Sequence, residues 1–116
     1  MNLHETEYHE GTPIDGYGPG FFRIGGKLHD GAVLILPGGV HGWQAWDTAP
    51  ITAAAERIDI ILVGTGTEIS HVPEAFRREL EVAGLGVELM ASAQACRTYN
   101  VLVGEGRRIG AALLPT

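Results

Sequence analysis

The sequence predicts a layered α/β sandwich entered through an N-terminal β-hairpin region. Two short runs, Ala32-Val33-Leu34-Ile35-Leu36 and Ile60-Ile61-Leu62-Val63, are apolar at every position, as strands buried on both faces are. An amphipathic helical pattern at 73–83 separates the second run from a third strand. The order strand–helix–strand–helix–strand, following the hairpin, is that of a sheet covered by helices.

The elements follow in order. Residues 1–14 are polar and read as a flexible arm, leaving 15–116 as a single α/β domain. Tyr17-Gly18-Pro19-Gly20 supplies turn chemistry. Phe21-Phe22-Arg23-Ile24, Gly25-Gly26 and Lys27-Leu28-His29 form a two-residue hairpin pattern. Asp30-Gly31 turns the chain into the strand at 32–36, which Pro37-Gly38-Gly39 closes. Trp43 and Trp46 stand one helical turn apart, a spacing that would bring them to one side. Residues 50–57 are alanine-rich and read as a short helix. The second apolar strand, 59–63, stops at Gly64-Thr65-Gly66-Thr67.

In the helix at 73–83, Pro73 suits the first helical position and Glu74 complements the positive end of the dipole. Phe76, Leu80 and Ala83 repeat on one face, while Glu74–Arg78 and Arg77–Glu81 pair on the wet one. Gly84 stops the helix and a third strand follows at 87–90. Ser92 is placed to cap the next helix. Its buried stripe is Ala95, Tyr99, Leu102 and Val103, with Cys96 beside it, and Gly104 or Gly106 ends it. The last strand is 109–114.

Length and composition narrow the function. A chain of 116 residues, 45% apolar and 19% charged, is the size of one domain. The net charge of −6 repels phosphate backbones, so nucleic acid is not an expected partner. Cys96 is the single cysteine, which precludes an internal disulfide and favours a reducing compartment. No apolar run approaches the ~20 residues that span a bilayer. Glu5, Glu7, Glu10 and Asp15 precede the first Arg or Lys, Arg23, unlike a secretory or mitochondrial leader. A cytoplasmic protein without direct membrane insertion is expected.

Few residues group into recognisable chemistry. Glycines in Gly64-Thr65-Gly66-Thr67 would let backbone N–H groups approach an anion. Yet Ile69 stands where a dinucleotide fingerprint needs its third glycine, and the Gly-Lys-Ser/Thr of a P-loop is missing. The plainer reading is a tight strand exit. Cys96 lies one turn into a helix, where the dipole lowers a thiol pKa, but its stripe position fits a small core residue better. His4, His9, His29, His41 and His71 have no metal-ligand spacing, so no metal and no cofactor are expected. Asn100 shares the semi-buried stripe, and asparagine is a poor helix former unless its amide is occupied. It braces a neighbouring loop such as 64–66 or lines a polar cleft there. Glu105 and Arg107 bracket Gly106 and pair with each other or with the chain around Arg97. Trp43 and Trp46 read first as packing and second as a partner-binding surface.

Four blocks carry a resemblance. They are Gly16-Tyr17-Gly18-Pro19-Gly20-Phe21-Phe22-Arg23; Gly31-Ala32-Val33-Leu34 followed by Trp43; 59–66; and Ala95-Cys96-Arg97-Thr98-Tyr99-Asn100-Val101-Leu102 with Glu105-Gly106-Arg107. Together they resemble the small domain-of-unknown-function family that includes the third mitochondrial complex I assembly factor and its bacterial relatives. The resemblance runs from about Gly16 to Leu114, and the last block is the most specific. It implies a three-layer α/β fold with a mixed central sheet, no established enzymatic activity and protein partners. Where many relatives carry Asp-Thr before the last helix, this chain has Ala91-Ser92, which removes a carboxylate from any shared catalytic site.

Two functions follow. The first is a non-catalytic protein-binding module assisting assembly of a respiratory or membrane complex, with Trp43 and Trp46 at the contact. The second is a small-molecule or anion-binding enzyme using a cleft lined by Gly64, Thr65, Gly66, Cys96, Asn100, Glu105 and Arg107. No nucleophile–base–orienter set is readable, which favours the first. A homodimer is left open.

Overall fold

The doubly apolar runs occupy the interior of the sheet. A computed structural model describes residues 11–116. In it β4 (Val33–Leu36) and β6 (Ile60–Gly64) flank β8 (Ile109–Leu113). Outside them lie β5 (Gly39–Gly42) and β7 (Gly86–Met90), giving the order β5-β4-β8-β6-β7. β4 runs antiparallel to β5 and β8, whereas β6 runs parallel to β7 and β8, so the sheet is mixed. Three further strands, β1 (Ile14–Gly18), β2 (Phe21–Ile24) and β3 (Lys27–Asp30), form a separate antiparallel sheet.

Strand alternation sends one set of side chains to each face of the central sheet. Val33, Ile35, Leu62, Ala111 and Leu113 point to the side covered by α3 (Ser92–Gly104) and the three-stranded sheet. Leu34, Leu36, Ile61, Val63 and Ala112 point to the side covered by α1 (Ala49–Ala53), α2 (Glu74–Val82) and the tryptophans. The expected three-layer sandwich with a mixed central sheet and an N-terminal hairpin region is the observed one.

Several local expectations change. Ile14 belongs to the domain and not to an arm. It is 5% exposed, opens β1 and joins the core with Phe22 and Ile24. Residues 1–10, which include His4 and His9, lie outside the described residues. Pro37-Gly38 ends β4 as expected, but as a hairpin turn: Leu36 pairs with Gly39, with Gly38 at φ +96°, and β5, which the sequence reading did not include, follows. Trp43 and Trp46 lie in a non-helical loop, and Trp46 itself has φ +70°. Pro73 stands just before its helix, and Ala91 precedes α3 with Ser92 as the first helical residue.

The close approach of α3 to β6 depends on one glycine. A Cβ at Gly64 would lie 2.8 Å from Ser92 Oγ and 2.9 Å from the Ser92 Cα. The second contact is backbone and cannot swing aside. Gly64→Ala is expected to cost ~1–3 kcal/mol, read as a lower urea midpoint. Gly104→Ala, whose Cβ meets nothing within 4 Å, is expected to cause no loss.

Candidate functional site

The chain leaves β6 toward α2 on one face and leaves β7 toward α3 on the other. Adjacent parallel strands whose exits diverge open a crevice at their carboxyl ends, the usual ligand position in open α/β sheets. Gly64, Thr65 and Gly66 lie there, with Ser92 facing them.

Polar groups fill the crevice from within. Thr65 N–H donates to Met90 O at 2.9 Å, and Ser92 N–H donates to Gly66 O at 2.8 Å. Ser92 Oγ accepts from Gly66 N–H at 2.9 Å and donates to Leu114 O at 2.6 Å. Leu114 N–H donates to Gly64 O at 2.9 Å. Thr65 Oγ1 donates to Glu68 O at 2.8 Å and accepts from Ser70 N–H at 3.0 Å. Gly64, Thr65, Gly66 and Ser92 are all buried. The donors that would greet an anion are therefore spent in sewing the loop to α3 and the last strand. Ser92 was foreseen as a cap; its role as a two-sided bridge was not.

Cys96 sits one turn further along α3, 3% exposed and packed in the core cluster with Phe22, Leu62 and Val103. Burial pushes its thiol up to about 11 against the smaller opposing pull of Arg97. A helix N-terminus favours a thiolate, but desolvation wins here. Tyr99 is 1% exposed, and burial raises its hydroxyl pKa against a backbone hydrogen bond from Thr12.

Asn100 lies eight residues beyond Ser92, about 12 Å along the helix at ~1.5 Å per residue. It does not reach the 64–66 loop. Its Oδ1 accepts from Ile14 N–H at 2.8 Å and its Nδ2 donates to Ile14 O at 2.7 Å. The amide thus acts on Ile14 as a neighbouring strand would. Glu105 and Arg107 are exposed past the end of α3, and no ion pair among the described residues joins them. Arg108, which the sequence did not single out, pairs with Asp59 at 3.2 Å and donates to Glu56 O. The seven residues assigned to one cleft are thus distributed along the full length of α3 and do not converge.

The tryptophans are also committed. Trp43 is 7% exposed, and its Nε1 donates to Asp47 O at 3.0 Å. Trp46 is half-buried edge-on to Trp43, with ring centroids 5.8 Å apart. Both rest on Phe76, at 5.9 and 5.1 Å. The expectation of exposed aromatic anchors is corrected: the rings seal the α2 side of the core. Among the described residues no group of three or more His, Cys, Asp or Glu side chains is placed to hold a metal.

These features define a small α/β domain whose buried polar side chains serve backbone and whose thiol is internal. Residues 14–114 match the model of a protein of unknown function (DUF498/DUF598), and the chain belongs to that family. An uncharacterized protein of Rhodobacter capsulatus is 50% identical over 116 residues, covering 99% of this chain and 94% of that one. NADH dehydrogenase [ubiquinone] 1 alpha subcomplex assembly factor 3 of Rattus norvegicus is 31% identical over 123 residues, covering 99% of this chain. The chain spans 66% of that relative's length. The crystal structure of an outer membrane protein from Bartonella henselae superposes with a TM-score of 0.85 at 30% identity, over 93% of this chain and 98% of that one. Among the described residues no helix is long and apolar enough to cross a membrane.

Two tests follow. Asn100→Ala leaves the Ile14 backbone groups without their partner and is expected to cost ~1–3 kcal/mol, with faster hydrogen exchange at the Ile14 amide. The Cys96 thiol is expected to resist iodoacetamide at pH 8 and to react in denaturant. The unfolded thiol ionises near 9.0 and the folded one near 11, so unfolding releases a proton above pH 9. Stability is expected to fall as pH rises from 9 toward 11, less steeply in Cys96→Ala, as measured by urea denaturation.

Proposed function

We propose that the protein is a non-catalytic binding module that assists assembly of a respiratory or membrane complex, working from the cytoplasm. The observation that carries this is the 31% identity to the rat assembly factor across 99% of this chain. The internal use of Thr65 and Asn100 supports it, because both were candidates for ligand chemistry and both are occupied by backbone, as is Ser92 between them. The lone thiol favours a reducing compartment.

The same observations weigh against an anion-binding enzyme, whose proposed cleft would need Gly66 and Asn100 side by side. Affinity capture of the chain from its native host, after gentle solubilisation of the membranes, tests the proposal. Subunits of a multisubunit membrane complex should be recovered with it in stoichiometric amounts, and deletion should lower the assembled complex on native gels. Recovery of a lone monomer with unchanged complex levels would overturn it.

A further inference from the structure

Among the described residues, the β7 edge of the central sheet carries an unpaired backbone row beside an apolar groove. Among the described residues β7 pairs with β6 alone. Both of its ends are pinned inward: Gly86 N–H donates to Asp59 O at 2.9 Å, and Met90 O accepts from Thr65 N–H at 2.9 Å. Peptide groups alternate sides along a strand. Gly86, Glu88 and Met90 therefore bond to β6, and the N–H and C=O of Val87 and Leu89 point outward. Neither residue takes a backbone partner there among the described residues. Such a row is a template for another strand.

Side chains on this edge set the chemistry of what fits. A groove of about 540 Å³ lies beside it, lined by Ile69, Ser70, His71 and Leu89, with Ile69 64% exposed. Glu88 projects to the opposite face of β7 and is exposed, and Glu68 is exposed on the loop next to the groove. The chain as a whole carries −6.

We infer that this edge takes an extended segment of a partner protein, with a lysine or arginine opposite Glu88 and apolar residues on either side of it. The inference rests on the protein-binding function proposed above. Main-chain bonds to Val87 and Leu89 supply the pairing. The basic residue meets Glu88, and its apolar neighbours, on the other face, cover Leu89 and Ile69. A second copy of the same edge fits poorly. Antiparallel pairing through Val87 and Leu89 centres on Glu88 and sets two carboxylates directly opposite in a close pair, a destabilising arrangement.

The test uses the full chain and an end-capped heptapeptide of alternating valine and lysine, against one of valine and glutamate. At millimolar concentration the lysine peptide should slow amide exchange at Val87 and Leu89 and bind about tenfold tighter than the glutamate peptide. Glu88→Lys, a change at an exposed position, should reverse that order. No effect of either peptide on these two amides, or equal binding of both, overturns the inference and leaves Glu88 as a guard against strand pairing. Amides already protected in a dimer overturn it in favour of a second copy. Capture from the host separates the two levels. If Glu88→Lys recovers the membrane complex as well as the wild type does, the edge fails and the binding module stands. If the wild type recovers nothing, both fail.

Discussion

Helix α3 is fastened at its start and again two turns on by side chains that substitute for backbone. At its start Ser92 Oγ links the Gly66 N–H to the Leu114 carbonyl, and two turns on Asn100 meets both peptide groups of Ile14. Between these fastenings Ala95, Cys96 and Tyr99 press into the core, and Val103 does so just beyond them. A buried polar group left unpaired costs more than a bonded one gains. The position of α3 is therefore fixed by what must not be left unsatisfied as well as by its apolar contacts. The three-stranded sheet depends on the same helix, because Ile14 is its first residue.

This arrangement bears on function through what it uses up. The carboxyl ends of β6 and β7 are where an α/β sheet ordinarily receives a ligand. Here Gly64 lets the start of α3 come so close that Ser92 occupies the space and its hydroxyl occupies the donors. Thr65 and Asn100, which could have lined a cleft, hold backbone instead, and the Cys96 thiol is packed in the core. What remains accessible is the outer surface, and on it the β7 edge combines peptide groups unpaired among the described residues with a carboxylate and a groove.

The layers and the strand interior were legible because the signals are local. Residues 33–36 and 60–63 are apolar without alternation, rich in Ile and Val and short, as strands buried on both faces are. The amphipathic face of α2 was equally plain in Phe76 and Leu80. β1 and β5 were not, since Ile14-Asp15-Gly16-Tyr17-Gly18 and Gly39-Val40-His41-Gly42 are built around glycines of low strand propensity and are held by their neighbours. The tryptophan loop misled because a spacing of three reads as helix, while Trp46 adopts a left-handed backbone conformation. For Asn100 the need for a partner was readable and the partner was not. Ile14 lies 86 residues away, a distance over which no local pattern speaks.

That separation has a consequence for synthesis on the ribosome. The meander of β1, β2 and β3 emerges first, yet the residue that docks it appears only in the last fifth of the chain, and β4 likewise waits for β8. Until then Phe22 and Ile24 lack the part of their core that α3 and β8 supply, Tyr99, Val103 and Leu113 among it. Contacts so distant along the chain slow folding and prolong the life of sticky nascent forms. A ribosome stalled before Ser92 would hold seven of the eight described strands without the helix and strand that close them, so this domain can complete its fold only once residues 92–113 have been made.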